Sequence, residues 1–243
     1  KRALLEHGFA GSEPPTPTEL ETTYRRHIAN REVAETIERI TRAGSHAVYR
    51  SVDVRDGGAV AATLADIRQN LGQIRGLIHA AGVLEDRWID DKTAEQFARV
   101  FDTKVAGLRH LLEAVAVDEL AFLALFSSVS GRFGRQGQVD YAMANEVLNK
   151  VAHRQASERP SCRVVAIDWG PWDGGMVTPA LKRDFARAGV GVIPLEAGAR
   201  SLLDELAYDG AGATEVVIGD VLPEPPGDDA GRPTRPVTAA QTG

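Results

Sequence analysis

An open parallel sheet covered by helices on both faces, of the doubly wound α/β kind, is the fold class this chain predicts, and three observations carry it. Apolar runs of strand-like composition at 47–54, 77–79, 121–126, 164–169 and 216–218 alternate with amphipathic stretches near 58–71, 93–117, 139–158 and 196–207. The stretches between runs are long enough for helical crossovers, which join parallel strands. A length of 243 residues with 43% hydrophobic content suffices for one substantial core, so one main domain with appendages is expected.

Taken in order, residues 1–45 are polar and read as a helical insertion. Pro14, Pro15 and Pro17 stop one short segment, Thr18 with Glu21 forms a capping box that opens a helix over 19–43, and Gly44 closes it. The catalytic region is expected to span 46–222. Within it Gly72 and Gly76 bracket the turn before the run at 77–79, and Thr93 with Gln96 supplies a second capping box. From Pro223, Pro225, Pro226 and Gly227 to Gly243 the apolar content is too low to pack, so 223–243 reads as a linker. No internal repeat is present.

The net charge of -6 and a pI near 5.6, without long basic runs or interleaved aromatics, argue against nucleic acid or an anionic membrane as partners. Arg25-Arg26 is a solvated helix face. The single Cys162 leaves no intrachain disulfide and no cysteine-based metal site, and the histidines lack zinc-ligand spacing. No run is long and apolar enough to span a bilayer and the first residues do not form a secretory signal, so the expected compartment is the cytosol.

The chemistry concentrates in the middle of the chain. Val100, Phe101, Val105, Leu108, Leu111 and Leu112 recur at helical spacing, and Lys104 falls within their apolar stripe, where an ammonium needs a reason. Ser128 stands where a buried strand gives out, and Tyr141 and Asn145 lie one helical turn apart. All of them are expected at the ligand-binding edge of the sheet. Singly, each has a plain alternative: a lysine can snorkel to solvent, a serine can begin a turn, and a tyrosine and an asparagine can share any helix face. His79-Ala80-Ala81-Gly82 ends a strand in small residues, which lets a flat ring approach the backbone but equally suits a tight turn. Asp53 is able to accept a bond from an adenine amino group or simply to cap the segment after it. Gly131, Gly134 and Gly137 lack the dinucleotide spacing and are expected to shape a substrate loop, and Ser130 lacks the glycine of a nucleophile elbow, which disfavours a serine hydrolase.

These motifs in this order, with Asp168-Trp169-Gly170-Pro171-Trp172 after them, resemble the ketoreductase domains of polyketide and polyunsaturated fatty acid synthases, within the short-chain dehydrogenase/reductase superfamily. The resemblance covers roughly 1–220, including Ala29-Asn30-Arg31-Glu32 in the insertion. Most free-standing members of the superfamily carry lysine four residues after the tyrosine; Asn145 stands there and Lys104 supplies the lysine, the exchange that the synthase ketoreductases show. The resemblance implies a Rossmann-like fold and NADPH-dependent reduction of a β-ketoacyl thioester carried by phosphopantetheine on an acyl carrier protein. Catalysis would fall to Lys104, Ser128, Tyr141 and Asn145, with Lys104 making the Tyr141 phenol more acidic. The cofactor would lie against Asp53, Val54, His79, Ala80, Ala81, Gly82, Lys104, Tyr141, Gly170 and Pro171, and the substrate against Leu84, Asp86, Phe133, Trp172, Met176 and Val177. In related ketoreductases Leu-Asp-Asp after Ala-Gly accompanies the D-hydroxy product, and a tryptophan eight residues before the tyrosine the L-product. Leu84-Glu85-Asp86 and Phe133 occupy those places, so the D-hydroxy product is expected. Residues 174–195 are expected to form a mobile lid over the substrate, with Met176, Val177 and Leu181 touching the acyl chain or the phosphopantetheine arm, or else simply packing the helix.

No Gly-x-Gly-x-x-Gly loop occurs, and the run at 47–54 resembles the family's third strand. In the order 3-2-1-4-5-6 that strand needs neighbours which these residues do not supply. The expectation is a longer polypeptide, or another chain, providing the first β-α-β unit. A catalytically silent docking module within a synthase is the rival expectation; a superfamily member acting on another small ketone or sugar is disfavoured by Lys104 and Asn145.

Overall fold

The computed structural model describes residues 16–208 and 212–220. The chain divides into two compact units, Lys1–Ser51 and Val52–Gly243. Among its described residues the first unit holds one helix, α1 (Pro17–Arg42), none of whose described side chains is buried. Its capping box is Thr16 with Glu19, two residues earlier than the expected Thr18 and Glu21. Proline explains the shift: Pro17 has no N–H to satisfy and its fixed φ suits the first helical position, so the cap falls on the residue before it. Gly44, with φ of 88°, follows the helix end as expected. The expected linker at 223–243 lies outside the described residues.

In the second unit the elements run α2 (Gly57–Leu71), β1 (Gly76–His79), a 3-10 turn at Ile89–Asp91, α3 (Ala94–Ala114), β2 (Phe122–Ser128), α4 (Val129–Phe133), α5 (Val139–Glu158), β3 (Arg163–Trp169), α6 (Pro179–Arg187), α7 (Leu195–Leu206) and β4 (Glu215–Ile218). The four strands pair in the order β1-β2-β3-β4, all parallel, with Leu123 opposite Val164 and Ser128 opposite Trp169. Each crossover carries helix, so the chain steps across the sheet in one direction. Residues 47–54 form no strand, which corrects the first of the five expected runs. An extended segment becomes a strand only when a neighbour takes its backbone hydrogen bonds, and none of the described strands pairs with it.

Strand periodicity divides the core in two. Leu123, Leu125, Val164 and Ala166 face α3 and α5, where they meet Leu108, Leu148 and Ala152. Ala124, Val165, Ile167 and Trp169 face the other way and meet Ile193, with Leu202 and Leu206 of α7 packed against them. Burial of both faces explains why the middle residues of β2 and β3, 122–126 and 164–167, are apolar without alternation. Thr93 caps α3 with Gln96 as expected. Asp56 caps α2, its side chain accepting from the Ala59 amide.

The short α4 was not foreseen. Ser128 ends β2 and caps α4 at once, its hydroxyl accepting from the Ser130 amide at 3.2 Å. Gly131 lies inside α4 rather than in a loop, because α4 rests directly on α5. A Cβ there would lie 2.8 Å from the Cβ of Asn145 and 3.0 Å from the Glu146 amide nitrogen. Gly134 and Gly137, with φ of 75° and 78°, form the turn into α5. Gly131→Ala is therefore expected to lower stability by about 1–3 kcal/mol, the usual cost of overpacking, because backbone and not a flexible tip must move. Urea unfolding of the two proteins measures the difference.

Candidate active site

The carboxyl ends of β1, β2 and β3 open into a cavity of about 450 Å³, a volume suited to a small-molecule site. Ala80 and Gly82 follow β1; Phe126, Ser127 and Ser128 end β2; Trp169, Gly170, Pro171 and Trp172 leave β3. Lys104 enters from α3 and Tyr141 from α5. Gly174, Gly175, Met176, Val177, Leu181 and Phe185 contribute from the segment leading into α6 and from α6 itself. Phe126, Trp169 and Trp172 pack as an aromatic group, with centroids 5.3 Å apart for the first pair and 4.7 Å for the two tryptophans. The loop after β3 is pinned by the bridge between Trp172 and Ile193.

Lys104 does not snorkel. Its side chain is buried at 2% exposure, and Nζ donates to the Phe126 carbonyl oxygen at 2.8 Å. Burial pushes its pKa down to about 8. The ammonium lies 5.4 Å from the centroid of the Tyr141 ring, within cation–π range, so the two side chains share one pocket. Gly82 makes room for it, since a Cβ there would approach Lys104 Cε to 3.2 Å.

The Tyr141 phenol stands above its ordinary value, not below it as the sequence led us to expect. Burial is the largest cause; hydrogen bonding by Asn145 and Ser128 pulls the value back, and the Asp86 carboxylate adds to the rise. Lys104 points its charge at a backbone carbonyl and lies against the ring face rather than at the phenol oxygen. The phenol is thus fully protonated at neutral pH and available as a donor.

Asn145 is fully buried beside Tyr141 and does not line the cavity. Its Nδ2 donates to the Tyr141 carbonyl at 2.8 Å, while its own carbonyl accepts from the Ser127 hydroxyl at 3.2 Å. His79 departs from expectation. Its ring lies under α3, 1% exposed, with Nε2 bonded to the Lys104 carbonyl at 2.9 Å, so it anchors the lysine's backbone and does not face the cavity. Burial first, and then the nearby Lys104 charge, lower its pKa to about 4. Asp53 is exposed and clasped by Arg55, whose hydrogen bonds hold its carboxyl down to about 2. Val54 packs on Gly107, and Ala81 also stays off the lining. Phe133 is 56% exposed and does not line the cavity either: it ends α4 beyond the cavity wall. Leu84, Asp86, Trp172, Met176 and Val177 do line it.

Several lining or supporting residues escaped the sequence. Arg135 lines the cavity and stacks on Phe185 at 5.2 Å. Gln138 bridges Asp86 at 2.9 Å and the Ser130 hydroxyl at 3.0 Å. Asp168, fully buried on β3, takes a bond from Asn149 at 3.1 Å, and desolvation raises its pKa. Asp168 opens the Asp168–Trp172 motif but was given no role there, and the one signal for Gln138 is that it lies three residues before Tyr141. No group of three or more metal-ligating side chains exists among the described residues, nor a helix long and apolar enough to cross a membrane.

The buried His79 makes stability depend on pH. The unfolded chain takes up a proton near 6.5, the folded one only near 4, so the unfolded state gains protons first as pH falls. Stability should be complete above about pH 6.5 and decline by about 3 kcal/mol between 6.5 and 4. Urea midpoints across that interval should fall less steeply in His79→Gln than in the wild type.

The comparisons with known proteins agree with this architecture. Residues 17–174 match the KR domain family. One subunit of the polyunsaturated fatty acid synthase of Thraustochytrium sp. is 40% identical over 89% of this chain, and the Bacillus subtilis polyketide synthase PksL 33% identical over 66%. The chain spans only 8% and 4% of those proteins' lengths. Among solved structures, the ketoreductase from the first module of phoslactomycin biosynthesis in Streptomyces sp. HK803 is 33% identical, with a TM-score of 0.69 over 77% of this chain and 43% of that one. A ketoreductase domain from the bacillaene assembly line is 34% identical, with a TM-score of 0.67 over 76% and 45%. The chain belongs to the KR domain family, the ketoreductase domains of polyketide and polyunsaturated fatty acid synthases, within the short-chain dehydrogenase/reductase fold.

Proposed function

We propose that this chain reduces a β-ketoacyl thioester, presented on the phosphopantetheine arm of an acyl carrier protein, to the D-β-hydroxyacyl thioester with NADPH, inside a cytoplasmic synthase. What supports this most directly is the buried Lys104 ammonium 5.4 Å from the ring of Tyr141, in a cavity that Ser128 also lines. The family implies a nicotinamide cofactor, and the donor set fits the nicotinamide end of one. Lys104 would hold the ribose hydroxyls, Ala80 and Gly82 would offer a flat floor, and Gly170-Pro171 would support the ring. When bound, such a cofactor supplies the hydride.

Reduction turns a carbonyl oxygen into an alkoxide, so the protein must deliver a proton and stabilise charge at one point. Tyr141 is the general acid, since burial keeps its phenol protonated until the oxyanion forms. Ser128 donates a hydrogen bond to the same oxygen. Lys104 provides positive charge beside the phenolate that the transfer leaves, a charge worth more out of water than in it. Asn145 holds the Tyr141 turn of α5 through the Tyr141 carbonyl. The apolar walls formed by Trp172, Met176, Val177 and Leu181 suit an acyl chain and exclude water. Leu84 and Asp86 mark the D-hydroxy outcome.

Tyr141→Phe should lower kcat by about 10²–10⁴ in a β-ketoacyl thioester assay while the variant still binds the cofactor. Turnover at the wild-type level would exclude the phenol as acid, and absence of cofactor binding in the wild type would favour the silent docking module. A second expectation concerns pH. Lys104 loses its proton as pH rises through about 8, so kcat/KM for the cofactor, which reports the free enzyme, should decline above that value. Lys104→Met should lack this alkaline limb.

A further inference from the structure

One loop grips the turn of α5 that precedes Tyr141. Residues 85–92 fasten onto residues 137–140 at three points: the Arg87 amide donates to the Gly137 carbonyl at 2.9 Å, Gln138 Nε2 donates to Asp86 Oδ2 at 2.9 Å, and Lys92 Nζ donates to Asp140 Oδ2 at 2.6 Å. The third differs in kind. The Lys92 and Asp140 side chains are 3% and 2% exposed, so this ion pair lies out of water, where either charge alone would be strongly disfavoured.

Both partners reach further. Lys92 Nζ also donates to the Glu85 carbonyl at 2.7 Å, and the second oxygen of Asp140 accepts from the Tyr141 amide at 2.9 Å. One ammonium and one carboxylate thus join the backbone of Glu85 to the backbone of Tyr141. The 3-10 turn at Ile89–Asp91 brings Lys92 back beneath the loop it holds. Neither Lys92 nor Asp140 lines the cavity, but Leu84, Asp86 and Tyr141 do. A buried ion pair is a poor source of stability, since apolar side chains of similar size often serve as well or better. What it adds is register between segments 48 residues apart.

We propose that the Lys92–Asp140 pair is a positioning device that holds the loop bearing Leu84 and Asp86 in register with Tyr141, and so sets which face of the ketone is open to hydride. This rests on the ketone reduction proposed above. Lys92 and Asp140 act through the residues that they place and touch no reacting atom.

Three variants of the full chain test it. Lys92→Met removes the ammonium, Lys92→Arg retains a cation, and the double variant Lys92→Met/Asp140→Met leaves no unpaired charge and so preserves the fold if Lys92→Met alone does not. Hydrogen exchange is read first, because it needs no activity. Exchange at residues 85–88 and at Tyr141 should speed up about tenfold or more in Lys92→Met and in the double variant, while β2 and β3 stay protected. With a β-ketoacyl thioester, the D-to-L product ratio should fall about tenfold or more and KM should rise, with cofactor Kd unchanged; Lys92→Arg should recover most of the ratio. A folded double variant with unchanged exchange at 85–88 and an unchanged product ratio overturns the proposal, since that is what a purely structural pair would give. If the wild type reduces no ketoacyl thioester, the ketoreductase function fails, and exchange alone decides on the tether: faster exchange confined to 85–88 and Tyr141 supports it, whereas unchanged or uniformly lost protection overturns it.

Discussion

The Lys104 ammonium sits out of water, bonded to the Phe126 carbonyl at 2.8 Å, and an ion in that position must be matched by what surrounds it. The match is built from the sheet edge. Phe126 lies two residues from the end of β2, so its carbonyl is available where the strand gives out. The Tyr141 ring covers the ammonium from the α5 side, and Gly82 leaves room for the lysine stem. His79 lies close enough that a second positive charge would be repelled, and burial keeps it neutral while it fixes the lysine's own backbone. A cation kept there, with its pKa already pulled down to about 8, gains more from an incoming negative charge than one in solvent would.

Strand parity places the remaining polar groups. On β2 and β3 the residues that face α5 end in Ser127 and Asp168, and these meet Asn145 and Asn149 on that helix. On the other face Phe126 and Trp169 join Trp172 as an apolar wall of the cavity. One sheet edge therefore has a polar side, which orients the helix carrying Tyr141, and an apolar side, which receives a ligand. A slip of one residue in either strand would exchange the two.

Much of this was legible because it is periodic. The apolar stripe of α3 exposed Lys104 as an anomaly, the runs at 121–126 and 164–169 located two strands within a residue or two, and the Thr93 capping box fell where expected. What failed was non-local. The run at 47–54 has strand composition, but pairing is decided by a neighbour, not by the segment itself. His79 and Phe133 were assigned to the ligand by motif position, whereas tertiary packing turned the first under α3 and left the second in solvent. Lys92 and Asp140 look like ordinary surface charges in the sequence, and only the folding of the loop onto α5 removes them from water.

The exchange of lysine and asparagine between α3 and α5 has a physical reading in the packing. Residue 145 is fully buried, and α4 closes over it through Gly131, whose backbone approaches so nearly that even a methyl group would collide with the Asn145 Cβ. A long charged side chain rooted there would need a path out to the cavity past α4. A short neutral amide needs none, and its Nδ2 is satisfied locally by the Tyr141 carbonyl. With the ammonium delivered from α3 instead, α4 is free to sit tight against α5, and Ser128, which caps α4, is held at the cavity by the same contact that confines Asn145. The placement of the cation on α3 and the short helix after β2 are thus one solution: each permits the other.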